Sequence, residues 1–159
     1  MNRSMSRRLL ASALAALALL WYGALLGAEQ FGTAEEAGAM LERAIAALQA
    51  NEAAALKEFN DANNKQFHDR DLYVFCFSLA DGNFTAYQSP FLLGTDIREL
   101  KLENDPIGQR AYDAVHDAPE GSFVTIDYDF PKPGMKKPVV KQSLEARVGN
   151  QGCGVSYYK

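Results

Sequence analysis

The chain has 159 residues and carries more acid than base, 20 Asp and Glu against 16 Lys and Arg, for a net charge of −4. An acidic body argues against nucleic acid and against anionic membrane surfaces as partners, since both need clustered Lys and Arg, and no basic patch or aromatic-basic interleaving offsets it. The length suits one domain with a sizeable core and is short for two.

Arg3, Arg7 and Arg8 open a positive segment, and an apolar run from Leu9 to Leu26 follows with no charge before Glu29. That order is the pattern of an export signal, with Leu26-Gly27-Ala28 as a fair cleavage site. At about 18 residues the run also reaches the short limit for spanning a ~30 Å hydrocarbon core. Left uncut it would be an anchor, the cationic flank holding the amino terminus inside. Residues 1–28 are therefore expected to be a signal peptide and residues 29–159 a single domain, periplasmic or secreted. Cleavage would remove three arginines and no acid, leaving 13 basic against 20 acidic residues and a net charge of −7.

Thr33 with Glu36 three positions on predicts a capping box, and Ala37, Met40, Leu41, Ala44, Ile45 and Leu48 recur at helical spacing behind it. Asn51 is expected to pause this helix before Ala53 to Phe59 continues it. Beyond Asn63 the period changes to 2. Leu72 to Leu79 is apolar on both faces, as a central strand is, and Asp81-Gly82 predicts the turn of a hairpin to Phe84–Tyr87. Ser89 to Arg110 reads as loop with short helical pieces, and Pro106 to His116 as a helix with Ile107, Ala111, Ala114 and Val115 on one side. From Phe123 to Phe130, Val124, Ile126, Tyr128 and Phe130 face one way while Thr125, Asp127 and Asp129 face the other. After Pro131, Pro133 and Gly134 come strands over Val139–Val148 and Cys153–Tyr158, with Gly149 to Gly152 as the turn between them. The order predicts an α+β fold with a mostly antiparallel sheet covered by helix on at least one face.

Several short stretches, in this order and spacing, resemble the single Cache domain family, extracytoplasmic sensor domains of bacteria. They are Asp71-Leu72-Tyr73-Val74-Phe75-Cys76, Asp81-Gly82, Leu93-Gly94-Thr95-Asp96, Gly121-Ser122-Phe123, Tyr128-Asp129-Phe130-Pro131, Lys141-Gln142-Ser143 and Gly152 to Lys159. The resemblance implies a PAS-like sheet of five antiparallel strands in the order 2-1-5-4-3, counting predicted strands along the chain, with the long amino-terminal helix packed along it. It also implies a pocket between the sheet and the loop-helix insertion, ligands among small organic acids and amino acids, and output to a separate membrane receptor or kinase, since no output module follows Lys159. The chain departs from the pattern at Ser122-Phe123, where many members have Gly-Trp, at Ala86-Tyr87, where many have Ala-His, and at Ser143-Leu144, where many have Ser-Tyr. No ligand identity therefore carries over.

Beside the resemblance, the residues themselves leave two readings of one strand face. Lys141, Ser143, Glu145 and Arg147 alternate on it, with Val140, Leu144, Ala146 and Val148 opposite. In one reading Lys141 meets Tyr73, Phe75, Tyr87, Tyr128 and Phe130 and holds a small carboxylate by a charge-assisted bond inside an aromatic wall. In the other the face is solvated and Lys141 pairs with Glu145. If the implied topology holds, strands one and five are neighbours, and pairing residue 72 with 157 sets Cys76 opposite Cys153. An exported protein can form that bridge, though two separate buried thiols satisfy the sequence equally well.

Catalysis and metal binding find little support. His68 lies by Asp69 and Asp71 in what reads as a solvated polar connector, and His116 with Asp113 and Asp117 reads as an exposed helix end. Neither histidine has metal-ligand spacing, neither cysteine has an electropositive setting, and no phosphate loop, nucleophile elbow or dinucleotide fingerprint is present. Asn83-Phe84-Thr85 matches a glycosylation sequon on a tight turn. The expectation is a non-enzymatic domain without cofactor or metal that senses a small molecule; a protein-interaction module docking through its leading helix is the alternative.

Overall fold

The computed structural model describes residues 30–159, so the signal or anchor expected over residues 1–28 lies outside them. Among the described residues no helix is long and apolar enough to cross a membrane.

Helix α1 (Ala34–Ala50) starts at Thr33, whose hydroxyl accepts from the Glu36 N–H while the Glu36 carboxylate accepts from the Thr33 N–H, the predicted capping box. Asn51 then does two jobs in extended conformation. Its N–H closes α1 on Ala47, and its side-chain oxygen accepts from the Ala54 N–H to start α2 (Glu52–Phe59). A single residue thus ends one helix and caps the next, the physical content of the predicted pause.

Six strands follow: β1 (His68–Asp69), β2 (Leu72–Ser78), β3 (Phe84–Ala86), β4 (Phe123–Pro131), β5 (Pro138–Val148) and β6 (Gln151–Tyr158). Helix α3 (Ile107–His116) precedes β4, and two short 3-10 turns, Pro90–Leu92 and Ile97–Glu99, lie in the long connection before it. All pairings are antiparallel, β3 to β2, β2 to β6, β6 to β5 and β5 to β4. This is the expected 2-1-5-4-3 order with one correction. A two-residue strand, β1, also pairs with the start of β2 through His68 opposite Tyr73 and Asp69 opposite Leu72.

The alternation along β2 divides the interior into two cores. Leu72, Val74 and Cys76 join Leu144, Ala146 and Val148 of β5 and Cys153 and Val155 of β6 under Met40, Leu41, Ala44 and Leu48 of α1. Phe75, Phe77 and Leu79 point the other way, to Ile97, Ile107, Ala111 and Val115 of the insertion and Ile126 of β4. Burial on both faces explains why this strand lacks polar alternation. Cys76 and Cys153 form a disulfide within the α1-side core, at the register that follows from the topology the resemblance implied.

The His68 expectation needs correcting. The ring is only 8 % exposed, and its Nε2 lies 2.6 Å from the Phe59 carbonyl at the end of α2. A buried imidazole needs a partner, and the helix terminus supplies an orphan carbonyl.

Candidate functional site

On the sheet face away from α1, β5 presents Lys141, Ser143 and Glu145 in alternation, and all three line a cavity of about 140 Å³. The antiparallel ladders set their neighbours. Lys141 stands between Tyr128 of β4 and Tyr158 of β6, Ser143 between Ile126 and Ser156, and Glu145 between Val124 and Gly154. Gly154 matters here because a Cβ on it would lie 2.7 Å from Glu145 Cγ and 2.6 Å from Phe75 Cζ, too close for either side chain to keep its place.

The opposite wall comes from the insertion. Ile97, Leu100 and Leu102 of the loop and Ile107, Gly108 and Ala111 of α3 cover the sheet face. Gly108 lets this wall close. Its N–H donates to the Leu100 carbonyl at 3.0 Å, and a Cβ there would fall 1.7 Å from the Ile97 carbonyl oxygen.

Tyr73, Phe75, Tyr87, Tyr128, Phe130 and Lys141, the ligand residues expected from the sequence, all line this one cavity. The Tyr73 hydroxyl donates to that of Tyr87 at 3.3 Å, and their rings meet edge to face at 5.5 Å. Burial raises the Tyr73 and Tyr128 phenols well above the usual tyrosine range, so both remain neutral donors.

Lys141 is 5 % exposed, which excludes the solvated face of the alternative reading. Its Nζ lies 4.6 Å from the centroid of the Tyr158 ring, 5.8 Å from that of Phe130 and 5.9 Å from that of Tyr73. Among the described residues no carboxylate comes within 4.0 Å of it, Glu145 included. Burial holds the ammonium below the ordinary lysine range, while the more distant Asp71 charge acts the other way. Aromatic faces supply only part of what water gives a cation, so this ammonium retains a demand for an anion.

Sequence reasoning placed Ser143 and Glu145 on the Lys141 face without assigning them to the site; it implied a wall from the loop-helix insertion without naming its residues, and it missed Ser156. The period-2 alternation of β5 was the available signal for the first two. Glu145 is 1 % exposed and burial pushes its carboxyl up to about 7, with the Ser143 hydroxyl acting the other way. Even so, Glu145 Oε2 and Ser143 Oγ are both buried without a hydrogen-bond partner. His68 and His116 stand outside the cavity, and among the described residues no three His, Cys, Asp or Glu side chains gather as metal ligands.

No protein-family model and no curated protein matches the chain. Solved structures do. A methyl-accepting chemotaxis protein from Vibrio parahaemolyticus RIMD 2210633 is similar at 19 % identity and TM-score 0.59, covering 78 % of this chain and 86 % of its own. A periplasmic sensor domain of a chemotaxis protein is similar at 19 % identity and TM-score 0.53, and a Cache chemosensory domain solved for carboxylic acid recognition at 16 % and 0.53, each covering 99 % of both chains. The antiparallel sheet with a long helix on one face and a loop-helix insertion on the other thus matches the PAS-like fold of Cache sensor domains.

Proposed function

We propose that the protein is an exported small-molecule sensor domain that binds a small organic acid or amino acid and passes the signal to a separate partner, such as a membrane receptor or kinase. The observation that carries this reading is Lys141, a buried ammonium with no acidic partner among the described residues, facing an aromatic cavity. A ligand carboxylate would meet the charge that the fold leaves unanswered, and charge-assisted hydrogen bonds are the strong ones. The cavity suits a metabolite of a few carbon atoms, being smaller than the usual drug-sized pocket of roughly 300–1,000 Å³. Export is supported by Arg3, Arg7 and Arg8 ahead of the apolar run Leu9 to Leu26. The reading also agrees with the carboxylic acid recognition described for one structural neighbour.

A filled core would favour an interaction module instead, and the cavity weighs against it. The apolar face of α1, through which such a module would dock, already packs on the sheet. The direct test is a thermal-shift screen against carboxylic and amino acids, for the wild type and Lys141→Met. Stabilisation by at least one carboxylate in the wild type and its loss in the variant are expected. Absence of any stabilising carboxylate would remove the basis for the proposal.

A further inference from the structure

Glu145 poses a problem that carboxylate binding at Lys141 does not solve. A carboxyl that is 1 % exposed lines the cavity with Oε2 unpaired, beside a Ser143 hydroxyl that is also buried and unpaired. Leaving such groups without partners is costly, and natural interiors rarely do so where no ligand is due. Among the described residues no Lys, Arg or His reaches Glu145 within 4.0 Å. In its ionised form this carboxyl calls for a donor, and a cationic one answers it best.

Position adds the second constraint. Lys141 and Glu145 share one face of β5 four residues apart, so their backbones are separated by roughly 14 Å at about 3.4 Å per residue. Both side chains reach into the same cavity. Strand side chains stand roughly perpendicular to the sheet, so the two charged ends keep much of that separation, more than an amino acid with ammonium and carboxylate on one carbon spans. A ligand with a charge at each end of a short chain meets both and lays its methylenes against Phe75, Tyr128 and Ile107.

We infer that Glu145 and Ser143 form an ammonium subsite, and that with Lys141 they select an amino acid whose amine and carboxylate lie at opposite ends of a short carbon chain over a plain carboxylic acid of the same length. This rests on the sensor reading above and narrows its ligand class. Burial of Glu145 fits the assignment, since an arriving ammonium would pull the raised carboxyl back toward its ordinary range.

The test is calorimetric titration of the intact protein with matched pairs of three to six carbons, such as 5-aminopentanoate and pentanoate. The terminal amino acid of the best-fitting pair is expected to bind at least ~10-fold more tightly, the effect of one charge-assisted hydrogen bond. Glu145→Gln should collapse that ratio toward one, and Ser143→Ala should reduce it. The wild-type comparison needs neither variant to fold. Equal or tighter binding of the plain acid by the wild type overturns the ammonium subsite and leaves the carboxylate sensor intact. Failure of both series, with no other carboxylate stabilising the protein, overturns both.

Discussion

Lys141 Nζ lies 4.6 Å from the centre of the Tyr158 ring, and the register of β5 against β6 sets these two residues directly opposite one another. The cation is thus held by the sheet ladder and not by a loop, so its place does not depend on ligand. Lys141→Met should keep the fold, because the side chain is similar in length and the ring wall stays. Replacing a buried charge by an apolar group is often neutral or stabilising. The expected outcome is an unchanged or slightly raised melting temperature without ligand, and carboxylate affinity weaker by ~10-fold or more, the worth of about 1.5–3 kcal/mol for a hydrogen bond to a charged group. Thermal shift and calorimetry on the same preparation separate the two effects.

Glu145 predicts a pH dependence of opposite sense to ordinary acid denaturation. Its folded-state pKa of about 7 stands above the ordinary glutamate value of 4.5, so between those limits the folded protein keeps a proton that the unfolded chain has released. Stability from this group is fully present below about 4.5 and is lost as pH rises to about 7, at up to ~1.4 kcal/mol for each pH unit crossed. Urea unfolding of the wild type across that window should therefore show a fall relative to Glu145→Gln, which cannot titrate. Parallel curves for the two proteins would contradict the assignment. Glu36 and Asp96, held below their usual range by Arg70 and Arg98, act at lower pH and in both proteins alike.

The Cys76–Cys153 bridge closes a sequence separation of 77 residues. Chain-entropy reasoning gives a constraint of this length about 4 kcal/mol, so the double variant Cys76→Ala, Cys153→Ala should unfold at markedly lower denaturant. Intact-mass measurement before and after reduction checks the bond itself. Two alkylatable thiols in unreduced protein would refute it.

Gly108 offers a steric test of the insertion wall. In Gly108→Ala the new methyl would collide with the Ile97 carbonyl oxygen, backbone that cannot swing aside as a side chain can. Overpacking of this kind costs about 1–3 kcal/mol, and here the strain falls on the contact between α3 and the cavity loop. Lower stability together with weaker ligand binding is expected; a variant with wild-type melting temperature and affinity would show that the wall does not close as described.

Much of this architecture was legible because it depends on local chemistry. The Thr33–Glu36 box, the Asn51 break and the two-faced β2 follow from side chains acting on their own backbone or on one sheet, and they stand where the sequence put them. The aromatics singled out beside the Cache resemblance meet in one cavity. Two things were hidden. A two-residue strand such as β1 has no period to read, and the burial of His68 depends on a carbonyl nine residues earlier, at the end of another element. The second is the meaning of polar alternation along β5. Lys141, Ser143 and Glu145 give the same pattern whether the face meets water or an internal cavity, and only the insertion packed across it decides between them.

Gly108 and the residues around it suggest how this protein could diversify. The charged groups of the cavity stand on the sheet, whereas Ile97, Leu100, Leu102, Ile107, Gly108 and Ala111 come from one continuous stretch of 15 residues. On the reading proposed above, size and charge selectivity are therefore written in separate parts of the gene. A replacement of that one stretch would adjust the length of ligand admitted while the end-group chemistry stayed in place, and the cassette could be exchanged between chains of this fold without rebuilding the sheet beneath it.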